Sequence, residues 1–376
     1  MNQKKNYFPN LNGLRFIAAF LVIIHHIEQF KFISNLDSFW NLPFIKITGK
    51  LGVILFFVLS GFLITYLLLA EENSIKTISI RKFYIRRILR IWPLYFLIII
   101  LAFLVLPNIT LFTLPGFGKE VIYNHLLLKL FLYAIFFPNL VLSMLGVVPY
   151  ASHTWSIGTE EQFYLVWPVL IKYLKKYRIY LMLLIISCYL LIDKFLNTTY
   201  SDFLPYKVVI RDFWLTFNID CMAIGGFFAV LLSQNNRLLS ILLNRNLFYL
   251  ITITTLILIA KGVYLPYLHY EFYSLLFGTI ILNFAANDKI KISLENNFLN
   301  YLGNISYGLY MYHPMIIILT LAICKSLNLI TNWYIYPLTF VLTFLLAHIS
   351  YKYYEKYFLK YKIKFSNILS GSKITE

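Results

Sequence analysis

Residues 51–70 run for twenty positions without a charged side chain, and comparably apolar stretches recur at 91–106 and 179–196. An α-helix rises about 1.5 Å per residue, so runs of this length reach across about 30 Å of hydrocarbon. The chain reads as an all-α polytopic membrane protein. Its balance agrees, with 60% apolar and 13% charged residues and a mean hydropathy of +0.72. The formal charge of +17 then reports topology and attraction to anionic lipid headgroups. A nucleic-acid partner would need a basic soluble module, and the sequence shows none. Cys188, Cys221 and Cys324 all fall in apolar stretches, with neither a disulfide framework nor a metal-ligand spacing, so no metal site is expected. Lys4 and Lys5 precede an apolar stretch as in a signal peptide, but Arg15 and a His pair interrupt it and no small-residue cleavage site follows. The stretch is expected to stay as the first span. Residues 1–376 are expected to form one membrane domain.

Candidate spans begin near Gly13, Leu51, Arg86, Glu161, Ile179, Phe213, Leu247, Glu271, Tyr301 and Trp333. A further apolar stretch, residues 126–148, contains Lys129, Pro138 and Asn139. Cytoplasmic loops collect Lys and Arg, and this rule decides how that stretch is handled. With the N-terminus inside, Lys76, Arg81, Lys82, Arg86, Arg87 and Arg90 fall inside after two spans. A full crossing at 126–148 would put Lys172, Lys175, Lys176 and Arg178 outside. If the stretch is re-entrant or lies along the outer surface, they return inside, as do Arg237, Arg245, Lys289, Lys291 and the tail from Lys352 to Lys373. The charges predict about ten spans in the inner membrane, both termini cytoplasmic, and one outer re-entrant or interfacial segment.

Ionisable residues inside such spans are costly, so they mark cavities. Arg15 and His26 are eleven residues apart. Eleven steps return a helix to within about 20° of its start and about 16 Å along its axis, so both should face one cavity. His25 points about 100° away. Arg86 and Arg90 share a helical face with Arg87 beside them, and two readings stand: positive-inside anchoring, or phosphate binding by arginine forks.

The stretch 153–168 sets His153, Trp155, Ser156, Glu160, Glu161, Tyr164 and Trp167 at the expected outer rim. Adjacent Glu160 and Glu161 cannot share a helical face, so at most one enters the cavity. An interfacial cap with belt aromatics is the simpler account; a carboxylate that orients His26 is the functional one. At 303–314, Gly303, Ser306 and Gly308 suit helix packing, while His313 before Pro314 reads either as a structural contact or as part of a site. Asp220 carries the same ambiguity, and residues 52–61 read as packing.

These segments in this order resemble the acyltransferase-3 family of integral-membrane O-acyltransferases. The resemblance rests on Arg15 and His26, on Gly52–Leu63, on Phe83–Pro93 with its three arginines, on His153–Tyr164, and on Ser306–Pro314. It implies transfer of an acyl group, commonly acetyl, from cytoplasmic acyl-CoA to a hydroxyl of a carbohydrate acceptor such as a surface polysaccharide or lipid-linked glycan. Acyl-CoA is then a donor substrate and not a resident cofactor. Some relatives carry a C-terminal SGNH hydrolase-like domain; the chain ends soon after its last span, so none is expected. The resemblance and the residues together assign Arg15, Arg86, Arg87 and Arg90 to the donor phosphates, His26 to general-base catalysis and Glu160 to orienting it. His153, Trp155, Ser156, Tyr164 and His313 are expected on the acceptor side or in support, and a covalent acyl-histidine stays open. Two other functions fit the polar spans: a polysaccharide or small-molecule transporter, against which stands the lack of internal symmetry, and acylation of a cytoplasmic small molecule.

Overall fold

A computed structural model describes residues 5–6, 8–366 and 369–370, nearly all of them helical. Lys4 and the end of the basic tail at Lys373 lie outside the described residues. Among the described residues, seven helical segments are long and apolar enough to cross a membrane: Leu11–Ile33, Pro43–Ile75, Ile80–Asn108, Lys175–Leu196, Lys207–Ser233, Ser306–Ser326 and Asn332–Lys364. Three more helices occupy expected span positions, Trp155–Tyr173, Arg245–Ala260 and His269–Ala286. Length and apolarity alone therefore give seven spans and not ten. Trp155–Tyr173 falls short on apolarity, since it carries Glu160, Glu161 and Lys172.

The helices that build the interior are α1 (Leu11–Ile33), α2 (Pro43–Ile75), α3 (Ile80–Ile100), α4 (Trp155–Tyr173), α5 (Ile219–Ser233) and α6 (Ser306–Ser326), with α7 (Lys356–Lys364) returning against α3. Small residues let these helices touch backbone to backbone. A Cβ on Gly61 of α2 would stand 1.9 Å from the Met222 carbonyl oxygen, and one on Gly225 of α5 would stand 2.1 Å from that of Val58. Gly303 packs in the same way on Asn12 of α1. The packing role expected for residues 52–61 holds at Gly52 and Gly61.

The stretch 126–148 is broken. Helices Leu126–Ala134 and Pro138–Leu145 are nine and eight residues long, separated where Phe136 takes a φ of 62°. At about 1.5 Å per residue, neither crosses about 30 Å of hydrocarbon. Lys129 is buried because its ammonium caps the carbonyls of Val121 (2.7 Å) and Ile122.

The cation-rich segments gather at one pole. Glu72, at the end of α2, pairs with Lys175 (2.6 Å) and Arg178 (2.5 Å). The Asn10 backbone N–H donates to Glu295 at 2.8 Å, and Arg86 donates to the Phe365 carbonyl at 2.9 Å. At the opposite pole Lys31 and Glu28, both fully buried, pair at 2.7 Å. Lys31 also donates to Asn332, and Glu28 accepts from Tyr336 and from the Phe39 backbone N–H. A buried pair is tolerated when its remaining hydrogen-bonding groups are satisfied, and this one ties residues 34–42 to the last long helix.

Candidate active site

Two cavities meet inside the bundle. The first, about 150 Å³, opens among Arg15, Ser60, Arg87, Arg90, Ser156, Glu160 and Tyr164. The second, about 420 Å³, opens among His25, His26, Gln29, Lys50, His153 and Trp155. Tyr310 lines both. The first lies toward the cation-rich pole and is called inner below; the second is called outer. Arg15 and His26 do not share one cavity, which corrects the expectation from their spacing. Their offset along α1 leaves each at a different cavity. His25 also lines the outer cavity. Its Nδ1 meets the Ile45 carbonyl at 2.7 Å, and its ring packs on Gly49 and Trp40.

The state of His26 follows from a chain of contacts that begins at Pro314. Proline has no N–H, so within α6 the carbonyl four residues back, that of Tyr310, loses its helical donor. That oxygen instead lies 2.6 Å from His313 Nδ1. A carbonyl only accepts, so Nδ1 of His313 carries the proton, and in the neutral ring Nε2 is an acceptor. His313 Nε2 lies 2.8 Å from His26 Nδ1, which must then be the donor. The lone pair of His26 is thereby assigned to Nε2, and among the described residues that atom makes no hydrogen bond. The two rings stack at 4.9 Å, and His313 is fully buried.

His153 packs against His313 (5.2 Å between ring centres) and Tyr310 (5.4 Å), is only 5% exposed, and has no hydrogen-bond partner at either ring nitrogen. Buried polar atoms are normally satisfied, and these two nitrogens sit in the wall of the outer cavity close to the Met311 backbone. The Tyr310 hydroxyl donates to the His153 carbonyl (2.7 Å) and accepts from Ser156 (2.7 Å).

Glu160 does not orient His26. Its two oxygens accept from Ser60 (2.8 Å) and Tyr164 (2.9 Å) in the inner cavity, and a histidine, His313, takes the orienting position instead. Glu161 turns away, as the helical geometry required, and accepts from Trp92 at 2.9 Å. Ser156 and Tyr164 likewise line the inner cavity and not the outer one, because α4 runs inward from His153. Trp155 stays on the outer cavity, with the Lys50 ammonium 4.1 Å from its ring centre. Asp220 is fully buried on α5 and lines neither cavity.

The inner cavity is rich in cations with open hydrogen-bonding groups. Arg87 stacks over Phe83 and Tyr164 at 5.6 Å each, and its buried Nε has no partner. Arg90 makes no hydrogen bond or ion pair among the described residues, and Arg15 reaches only Asn12 at 3.2 Å. Arg86 differs: it pairs with Glu71 at 3.3 Å and lines a small side pocket next to the inner cavity. Lys362 of α7 completes that pocket beside Arg86 and Arg87. Sequence reasoning missed it, because only the return of α7 along α3 distinguishes it from the other tail lysines. Glu160, Glu161 and Glu355 lie in the field of these cations, yet among the described residues none closes an ion pair with them.

The acyltransferase-3 family model, described as an acyltransferase domain, matches residues 8–352. The chain belongs to this family. The family is one of multi-pass membrane proteins, and the resemblance read from the motifs holds. It is similar to the peptidoglycan O-acetyltransferase OatA of Listeria monocytogenes, with 26% identity over 85% of this chain and 51% of that protein. A Staphylococcus aureus protein provisionally named an O-acetyltransferase is 32% identical over 45% of this chain and 25% of its own length. YrhL of Bacillus subtilis, provisionally named a peptidoglycan O-acetyltransferase, is 30% identical over 44% of this chain and 24% of its own. The match thus spans about half the length of OatA and about a quarter of the other two relatives. No solved structure matches it.

Proposed function

We propose that this acyltransferase moves an acyl group, in the first instance acetyl, from acyl-CoA in the inner cavity to a hydroxyl of a carbohydrate acceptor in the outer one. The observation that carries the reading is the open Nε2 of His26, fixed as a proton acceptor by His313 in the wall of the outer cavity, next to the Tyr310 that lines both. Arg15, Arg87 and Arg90 bind the phosphates of the donor, with Arg86 and Lys362 beside them, and guanidinium forks suit that task. The thioester arm extends past Ser60 and Glu160 to Tyr310. Displacement of the Tyr310 side chain joins the cavities and brings the thioester carbonyl to His26.

In the reaction, His26 Nε2 takes the acceptor hydroxyl proton as that oxygen attacks the carbonyl carbon. The C–O ester bond forms, the C–S bond breaks, and the proton passes from His26 to the departing thiolate. His313 accepts the Nδ1–H of the transient imidazolium, and the free nitrogens of His153 bind the acceptor or the developing oxyanion. The acceptor is a cell-surface polysaccharide or lipid-linked glycan, in keeping with the names of the relatives.

Ten spans serve this route: the seven apolar segments together with Trp155–Tyr173, Arg245–Ala260 and His269–Ala286, both termini being cytoplasmic. Support comes from the Glu72 pairs with Lys175 and Arg178, which bring the segment after α4 to the pole of the segment after α2. Purified protein in lipid nanodiscs, given acetyl-CoA and surface glycan, should release free CoA thiol only when glycan is present. The glycan should gain ester-linked acetyl. Unassisted passage of glycan with no acyl transfer would point to a transporter instead.

A further inference from the structure

The outer cavity has a charge pattern that the transfer chemistry does not require. Its walls contain His25, His26, His153, Gln29 and one lysine, Lys50, and no Asp or Glu. The Lys50 ammonium lies over Trp155 at 4.1 Å and Tyr270 at 5.2 Å, and donates one hydrogen bond, to the Leu215 carbonyl at 2.9 Å. An ammonium has three donors, so two are open, and among the described residues Lys50 closes no ion pair. Asp220 stands behind the wall with Glu271 beside it, and among the described residues neither pairs with the ammonium or lines the cavity. An ammonium inside a membrane protein is costly without a partner, and aromatic faces offset only part of that cost. A lysine kept solely to cap one carbonyl would not need to face the larger of two cavities.

We propose that the outer cavity selects a glycan bearing a negative charge near the acylated hydroxyl, and that Lys50 recognises this charge. The inference rests on the reading that the outer cavity takes the acceptor. Two sources supply the same chemistry, a sugar carboxylate or a sugar phosphate, and a lysine accepts either as a point charge.

The test uses wild-type protein, Lys50→Gln and Lys50→Arg in nanodiscs with labelled acetyl-CoA. The acceptor is surface glycan taken from cells that lack the protein. It is supplied in three forms: native, carboxyl-reduced, and stripped of phosphate by hydrogen fluoride. Loss of one charge-assisted contact should lower kcat/KM by about tenfold or more, mainly through KM. Wild-type protein should show that loss with either the reduced or the stripped form, which identifies the anion. Lys50→Gln should lower transfer to native glycan to the neutralised level and leave the neutralised form unaffected, and Lys50→Arg should keep most of the preference. Equal use of all three forms by wild-type protein overturns the inference and leaves the acyltransferase reading intact. A loss in Lys50→Gln that is uniform across the three forms also overturns it, by marking Lys50 as structural. If native glycan accepts no acetyl at all, the acyl-transfer reading falls, and this inference with it. Should Lys50→Gln fail to fold, the wild-type comparison decides alone.

Discussion

His26 Nδ1 and His313 Nε2 lie 2.8 Å apart, a hydrogen bond between α1 and α6 across 287 positions of sequence. Replacing His26 by Ala should remove the base and lower kcat by about 10²–10⁴-fold while the protein still inserts. His313→Ala should lower kcat with donor KM unchanged, and His313→Asn should recover part of it, since an amide oxygen also accepts from Nδ1–H. His25→Ala should act mainly on stability, through the loss of its bond to Ile45 and its packing on Trp40. Steady-state kinetics and thermal denaturation separate these outcomes.

Pro314→Ala restores an N–H that competes with His313 for the Tyr310 carbonyl. The variant should be at least as thermostable as the parent yet slower, because His313 is released from its single tautomer. A variant as fast as the parent would show that the proline serves packing alone.

Arg90→Ala should raise the KM for acyl-CoA about ten- to hundredfold with kcat comparatively intact, as expected for a contact kept from ground state to transition state. Lys362→Ala should act in the same direction by less. Glu160→Gln can keep its bonds from Ser60 and Tyr164, so its effect should be milder than that of His313→Ala. A donor titration at saturating glycan reads all three.

Single cysteines at Asn73, Lys175 and Asn236 should be shielded from an impermeant thiol reagent in intact cells, and cysteines at Asn108 and Asn197 should be labelled. Labelling at Lys175 from outside would reverse every proposed span from Trp155–Tyr173 onward.

Gly61→Leu drives a side chain into the Met222 backbone, where overpacking costs about 1–3 kcal/mol or more. Yield and melting temperature should fall sharply, whereas Gly116→Ala, with a positive φ of 78° but open space around it, should lose much less.

Helix positions were legible because each depends on local composition, and so was the divergence of Glu160 and Glu161, which follows from helical periodicity alone. That residues 126–148 form no single full-length span was legible from the balance of charge around them. The partner of His26 was not, because a carboxylate on α4 and an imidazole on α6 are equally compatible with its sequence, and only the packing of α1 chooses between them. Separate cavities for Arg15 and His26 escaped notice for a related reason. One helical face can be divided by a side chain from another helix, here Tyr310. Lys362 was one basic residue among many until α7 folded back.

Tyr310 has a further consequence, which concerns the membrane and not the reaction. Its ring, only 4% exposed, is held at the hydroxyl by both His153 and Ser156 and forms part of the wall of both cavities. A permanently continuous passage would short-circuit the ion gradients of the cell. A buried ring pinned in the shared wall is the kind of barrier that lets an energised bilayer keep its electrical resistance while the protein is idle.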